Sequence, residues 1–395
     1  MPDGTLELAV RIADSLETVP ASAWDACALP PEGDGNPFLG HAFLIALERS
    51  KSVGRRSGWL PQYLLAETAD GTLLGCAPLY VKSHSYGEYV FDHGWADAFE
   101  RAGGNYYPKL QVAVPFTPAP GPRLLLRPGD AADAVADALC EALVQVTQAS
   151  RFSSCHVTFC REEEWQRLSG HGFLRRLGQQ FHWRNDGYAS FDDFLAALNS
   201  RKRKAIRKER QAVREAGLTV RALSGNEIEK RHWDAFFAFY MDTGSRKWGQ
   251  PYLTRSFFDH IGRTMADSIV LVMAEKPDGE PVAGALNLRG RDALYGRNWG
   301  CVEDYRFLHF EACYYQAIDY AIAHGLKRVE AGAQGEHKIQ RGYLPVPTYS
   351  AHFIADPGFR RAVEDFLSRE RPMIERQIAG LATLSPFRKP NEGSN

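Results

Sequence analysis

The chain has 395 residues, with 47 Lys+Arg against 48 Asp+Glu, 44% hydrophobic and 24% charged. That length suggests two domains, each able to bury its own core, in a soluble globular protein. A formal net charge of −1 argues against a general nucleic-acid coat or a membrane-coating polycation, while leaving room for a local basic patch.

The apolar runs, such as residues 268–274, are short, and none approaches the ~20 residues that span a bilayer. Acidic residues near the start and the lack of an apolar leader core predict a cytoplasmic protein. Seven cysteines, an odd number without a C-x-x-C pair, read as buried reduced thiols rather than a disulfide framework or zinc site; no metal is expected.

In chain order, Leu6–Ile12 alternates like a strand. A helix over His41–Ser50 follows an Asn36-Pro37 entry signal. Tyr63–Glu67 and Leu73–Lys82 read as strands joined at Asp70-Gly71. Tyr86–His93 and Arg123–Leu126 are further strand candidates, Asp130–Ala149 a long amphipathic helix, and His156–Phe159 a buried strand. The second half begins with a strand over Leu218–Leu223, then helices over Asn226–Thr243 and Thr254–Met265. Ile269–Glu275 and Val282–Leu288 pair across Pro277-Asp278-Gly279, followed by a strand at Asp292–Trp299. A helix over His309–His324 ends at Gly325. Strands at Arg328–Glu330 and Tyr349–Ile354 precede a charged helical tail over 358–380. The halves repeat one order, so two copies of a mixed α/β unit explain the chain better than a parallel doubly wound sheet. The boundaries expected are 1–190, a basic helical connector 191–217, 218–357 and a tail 358–395.

Residues Arg201–Arg210 hold seven cations and one anion. On a helix they leave Ala205, Ile206 and Val213 for packing, and their repulsion suits an anionic ligand: coenzyme A phosphates, an RNA backbone or lipid headgroups. A solvated helix neutralised from elsewhere explains the run as well. Residues Val329–Tyr343 are the most informative. A strand runs into three glycines, which permit close backbone approach, and then Glu336, His337, Lys338 and Arg341 fall within six residues. Histidine is suited to proton transfer near neutral pH, and the cations to a carboxylate or phosphate; an ordinary polar loop is the plainer alternative. In 308–315, His309 lies near a helix N-terminus able to receive an anion. Glu311 would orient an amine there, although the helix dipole alone favours an acid in that turn.

In the first half, His84, Tyr86, Glu88, Val90 and Asp92 would share one face of a strand, with Tyr89 and Phe91 on the other. That suits the wall of a polar cleft, or simply the outer face of an edge strand. Residues 106–123, rich in proline and aromatics, fit a rigid loop or a substrate channel, and Phe181-His182-Trp183 adds another aromatic–imidazole cluster. Phosphate loops, dinucleotide fingerprints, H-E-x-x-H and G-x-S-x-G are all absent, so the chemistries they serve lose weight. Direct transfer needing position, a base and an oxyanion donor stays open.

Residues 284–330, with Gly284, Tyr295, Gly300, Tyr305 and His309-Phe-Glu311, resemble the second acyltransferase domain of Fem-type proteins in the GNAT superfamily. Residues 82–97, 180–188 and 332–338 resemble the bacterial Fem-like N-acyltransferase family labelled peptidoglycan biosynthesis/recognition. The likeness runs from about His41 to Phe387. It implies tandem GNAT-like folds and transfer of an acyl group from acyl-CoA, or another acyl thioester, to an amine. The Trp299–Phe310 turn then stands where GNAT enzymes bind the donor pyrophosphate. Relatives that N-acylate a long-chain amino lipid, as in bacterial ceramide synthesis, make such a lipid the sharpest acceptor. His337 or His309 would be the base, assisted by Glu336 or Glu311. Lys338, Arg341, Arg201, Arg203, Lys204, Arg207 and Lys208 would hold the donor, the basic run alternatively touching an anionic membrane. His84, Tyr86, Glu88, Asp92, Trp95, His182, Trp183 and Tyr343 would line the acceptor. Two alternatives stand beside this reading. One is aminoacyl transfer from tRNA to a peptidoglycan bridge, less favoured because 192–217 has room only for short helices. The other is a non-catalytic module that recognises an envelope component.

Overall fold

The computed structural model describes residues 7–246, 251–332 and 335–388, and of residues 245 and 246 the backbone alone. Leu6, the pair Ala333-Gln334 of the glycine-rich segment, and residues 389–395 of the expected tail lie outside the described residues. The chain forms two compact units. The first comprises Met1–Gly178, Tyr252–Ile261 and Pro347–Glu375, and the second Gln179–Pro251, Gly262–Val346 and Arg376–Asn395.

In the first unit, Leu8–Ala13, Tyr63–Thr68, Leu73–Ala77 and Leu125–Leu126 make an antiparallel sheet in that order. The Asp70-Gly71 hairpin is present, and Gly71 supplies the positive φ of 82° that the turn requires. A second set of strands starts at Trp59–Pro61 and passes through Leu79–Lys82 and Lys109–Val112 to Ser154–Cys160. The last two strands are parallel, joined through the helix Ala132–Ala149. That helix buries Val135, Leu139, Cys140 and Leu143 against Leu64, Ala66, Leu110, Val112 and Val157.

The second unit has strands Thr219–Ser224, Ile269–Glu275, Pro281–Arg289 and Ala293–Cys301 as an antiparallel meander. Arg328–Glu330 then runs parallel to the last of these and antiparallel to Leu174–Arg184. Here too a helical segment, 308–323, joins the parallel pair, burying Ala317, Ile318 and Ala321 against Leu294 and Val329. Each unit therefore carries a hairpin and a strand–helix–parallel-strand step, and the expected mixed α/β organisation holds. None of the described helices is long and apolar enough to cross a membrane.

Four expectations change. The run Leu73–Lys82 is two strands, Leu73–Ala77 and Leu79–Lys82, in different sheets, divided at Pro78. Residues Tyr86–His93 are no strand: Gly87 and Tyr89 take positive φ of 81° and 59°, which breaks an extended run, and a helix starts at His93. His84, Tyr86, Glu88 and Asp92 consequently share no strand face. Of Arg123–Leu126 only Leu125–Leu126 pairs, because the Arg123 and Leu124 amides donate to the Glu164 carboxylate, at 2.7 and 2.6 Å, instead of to a neighbouring strand. The helix expected over His309–His324 is interrupted by a wide turn at Glu311–Tyr315.

Candidate active site

In the second unit the strand Ala293–Cys301 changes register against Pro281–Arg289. Leu286 faces Asn298 and Asn287 faces Gly296, so Arg297 is the extra residue of a β-bulge. Its parallel partner pairs only with Ala293–Tyr295, and beyond Tyr295 the pairing ends. Gly296 sits at this point, where a Cβ would stand 3.3 Å from the Glu330 carbonyl oxygen. An interrupted parallel pair leaves backbone groups and space at a strand end. The helical segment that follows opens with Phe307 at φ 68° and carries the wide turn Glu311–Tyr315, a local distortion frequent at functional sites.

Past Arg328–Glu330 the chain crosses Gly332 and Gly335 into the short helix Glu336–Arg341. Gly335 has φ 112°, and a Cβ there would lie 2.4 Å from the His337 ring, so this position needs glycine. The exposed His337 has Nε2 at 3.0 Å from the Tyr314 hydroxyl. Partial desolvation of its ring beside Phe310 and Tyr314, then Lys338 and Arg341, holds its imidazole below the usual value, and burial pushes the Tyr314 phenol up. The ring of half-buried His309 lies 5.3 Å from Trp299, 5.4 Å from Tyr314 and 6.3 Å from His337. Both candidate bases and Tyr314 thus meet beside the wide turn. Exposed Glu336 lies next to them in sequence.

Lys338 and Arg341 turn inward. Lys338 Nζ donates to the carbonyls of Ala331 at 2.6 Å and Gly332 at 3.1 Å, and burial lowers its pKa to about 8. Arg341 stacks on Phe310 and donates to the His337 carbonyl, the Tyr315 hydroxyl and both oxygens of Glu209, at 2.9 and 3.0 Å for the carboxylate. The Tyr315 hydroxyl also donates to Glu209. Glu311 is taken up by Arg210 at 2.9 and 3.1 Å and by Gln316, and Arg210 also reaches Asp319 at 2.7 Å. A carboxylate engaged in this way is an anchor for the helix rather than an available base. Tyr343, fully buried, bonds the Tyr314 carbonyl at 3.2 Å.

These anchors come from the basic helix Ser200–Glu215, capped by the Asn199 side chain on the Lys202 amide. Its inward stripe is Ile206, Val213, Glu209 and Arg210, while Ala205 is exposed. Arg201, Lys204, Arg207 and Lys208 face outward, and Arg203 is half-buried; Arg207 pairs with Asp192 at 2.9 Å. On Leu174–Arg184, alternation sends Trp183 into the core with Phe194 and His182 to the other face. His182 lies 3.2 Å from Gln180 and 3.9 Å from Glu330. Burial and Arg328 lower its pKa to about 3, so that approach is no ion pair at neutral pH.

The first unit holds a separate buried polar cluster. Lys109 donates to Ser85 and Glu88, both at 2.8 Å, and to Asp92. Tyr106 donates to Asp92 at 2.7 Å, and Lys82 lies 3.7 Å from Glu88 and over the Trp59 ring. Burial lowers the Lys82 pKa to about 7 and raises that of Glu88 to about 7. His156 and His352 share a 2.7 Å Nδ1–Nδ1 contact. Burial drives both below the ordinary value, His156 to about 3. Trp95 packs edge-on against His352, half-buried His84 bonds the Ser57 carbonyl at 3.0 Å, and Tyr86 is exposed. The structure thus gathers His309, His337 and Tyr343 at one place and Glu88 and Asp92 at another, with His182 facing Glu330 and within electrostatic reach of Lys338 in the second unit.

Tyr314, Tyr315, Glu209, Lys82, Lys109, His156 and His352 were not singled out in the sequence as site residues, and Arg210 stood out only as part of the basic run. One signal did exist: Glu209 is the single anion in a run of seven cations. The others gave none, because a wide turn and strand-to-strand contacts leave no local spacing.

Among solved structures, FemX is similar at TM-score 0.57 and 12% identity, over 91% of this chain and 100% of that one. L-PGS from Bacillus licheniformis has TM-score 0.51 and 10% identity, over 85% and 98%. A conserved protein of unknown function from Bacteroides thetaiotaomicron has TM-score 0.51 and 11% identity, over 87% and 100%. At these identities the likeness is one of fold. No curated protein matches the sequence. The FemAB_like family, described as peptidoglycan biosynthesis/recognition, matches residues 15–389, and the chain therefore belongs to the FemAB-like family.

Proposed function

We propose that the protein is an amide-forming transferase that moves an activated acyl or aminoacyl group onto the amine of a cell-envelope precursor, with its chemistry in the second unit. The reading rests on the strand pair that parts at Gly296, with the His337–Tyr314 couple at 3.0 Å near the same strand end. In this reaction the amine nitrogen bonds to the donor carbonyl carbon, and the C–O or C–S bond to the carrier breaks. His337, kept neutral by its lowered pKa, takes the amine proton. Tyr314 gives its hydroxyl proton to the leaving oxygen or sulfur and is reprotonated by His337 across their 3.0 Å contact, which restores both groups. Arg341 holds the His337 backbone in place through its carbonyl.

For the donor, aminoacyl-tRNA is the better supported reading. The family description points to peptidoglycan, and the outward Arg201, Lys204, Arg207 and Lys208 suit a phosphodiester backbone. A second reading, acyl-CoA with a lipid amine as acceptor, is favoured by the bulged strand leading into a helix N-terminus, an arrangement suited to a pyrophosphate. Purified protein given charged tRNA with a peptidoglycan precursor, and separately acyl-CoA with long-chain amines, distinguishes the two. Amide product in the first mixture, with tRNA binding that weakens steeply with salt, is expected. Product only in the second replaces the donor assignment. Product in neither contradicts the proposal.

A further inference from the structure

The loop Ser83–Asp92 in the first unit has its polarity reversed. Its acids are inside, Glu88 at 4% and Asp92 at 3% exposure, while its large aromatics are outside, Tyr86 at 62% and Phe91 at 59%. Charged side chains are rarely fully buried, and an exposed aromatic pair beside buried acids is the informative departure. The loop has no helix or strand to hold it. It is held instead from beneath by Lys109, on Ser85, Glu88 and Asp92, and by Lys82, on the Tyr86 carbonyl at 3.3 Å. The Trp59 indole donates to the same carbonyl at 3.1 Å.

On the outside, the His93 ring lies 5.9 Å from Tyr86 and 6.2 Å, stacked, from Phe91. The adjoining turn is joined to the loop through His84 on the Ser57 carbonyl and the Ser83 amide on Gly58. That turn exposes Arg55 and Arg56, and neither has a carboxylate partner among the described residues. Withdrawing both acids of the loop leaves an outer face of aromatics and uncompensated cations.

We propose that this face, made of Arg55, Arg56, Tyr86, Phe91 and His93, docks the first unit on an anionic lipid surface. Tyrosine and phenylalanine rings bury their apolar bodies at the headgroup boundary, and the guanidinium groups meet lipid phosphates. Because the loop is fixed in advance by its ion cluster, little ordering is needed on contact.

The test is co-sedimentation of the full chain with vesicles of phosphatidylglycerol and phosphatidylcholine in equal parts, against phosphatidylcholine alone. Binding to the anionic vesicles is expected, reduced about tenfold or more by Y86S/F91S and similarly by R55E/R56E. These side chains are exposed, so unchanged thermal unfolding verifies that the variants fold. K204E/K208E, on the basic helix of the other unit, is expected to bind within about twofold of wild type. Absence of binding to the anionic vesicles overturns the proposal. So does binding that survives both loop variants but is lost in K204E/K208E, or capture of a protein partner by a chain that ignores vesicles.

Discussion

Glu209→Gln isolates the anchor beneath the His337–Tyr314 couple. The substitution keeps shape and volume but removes the charge facing Arg341, whose side chain is 9% exposed while that of Glu209 is 16%. Breaking a buried ion pair on one side costs about 3–5 kcal/mol, because the remaining charge stays desolvated. Arg341 keeps the Tyr315 hydroxyl, the His337 carbonyl and the Phe310 ring, and the site is not wholly dry. Those contacts reduce the expected loss to about 2–3 kcal/mol. For a unit of this size that corresponds to roughly 4–12 °C in Tm. Urea unfolding followed by tryptophan fluorescence, with calorimetry alongside, measures it. A second effect separates anchoring from bulk stability. With Arg341 loosened, the His337 backbone loses its restraint, and kcat should fall about tenfold at a temperature where the variant is folded, with donor KM little changed. A stability loss under about 0.5 kcal/mol, within the range of ordinary surface substitutions, together with an unchanged kcat, would rule out this anchoring role for Glu209.

Acid stability follows from the buried histidines. His156 and His182 are lowered to about 3 and His352 well below the usual value, chiefly by burial. Between that range and 6.5 the unfolded chain therefore binds more protons than the folded one. The stability they contribute is present above about pH 6.5 and is lost as pH falls, by about 1.4 kcal/mol per pH unit per site. Glu88, raised to about 7, acts oppositely between its usual value and 7 and offsets about one site. His156→Gln should flatten the acid slope by about one site in denaturant titrations from pH 7 to 4, and an unaltered slope counts against the assignment. Gly300→Ala would place a Cβ 2.3 Å from the Phe239 carbonyl oxygen. The clash is with backbone, so a loss of about 1–3 kcal/mol is expected by urea unfolding; wild-type stability would contradict that packing. The acid limb of kcat/KM should lie below about pH 6.5, following the lowered His337 pKa. Tyr314→Phe should move that limb, and an unmoved limb would separate Tyr314 from the titrating group.

Much of the framework was legible in the sequence because it is local. The Asp-Gly hairpins and Ile269–Glu275 form where turn chemistry and apolar runs place them, and Gly325 does end its helix, at φ 64°. What the sequence hid was long-range. Tyr86–His93 alternates like a strand, yet Lys82 and Lys109 draw Glu88 and Asp92 inward, the Lys109 contacts spanning 21 and 17 residues. Glu209 finds its partner Arg341 at a separation of 132 residues. Likewise Glu311 and Arg341 look like free site groups until Arg210 and Glu209 are brought against them by the fold. His337 stood out as a candidate because Gly332 and Gly335 beside it take positive φ of 76° and 112°, a backbone that favours glycine.

Amide-forming transfer in the second unit through His337 is tested by a mass-spectrometric assay of wild type and His337→Ala, both verified as folded, with charged tRNA or acyl-CoA as donor and envelope-derived amines as acceptor. An amide-linked product is expected from the wild type, with a rate lowered about 10²–10⁴-fold in the variant, the usual span for losing a general base. Equal rates for the two proteins, or no product from the wild type with either donor, would contradict it.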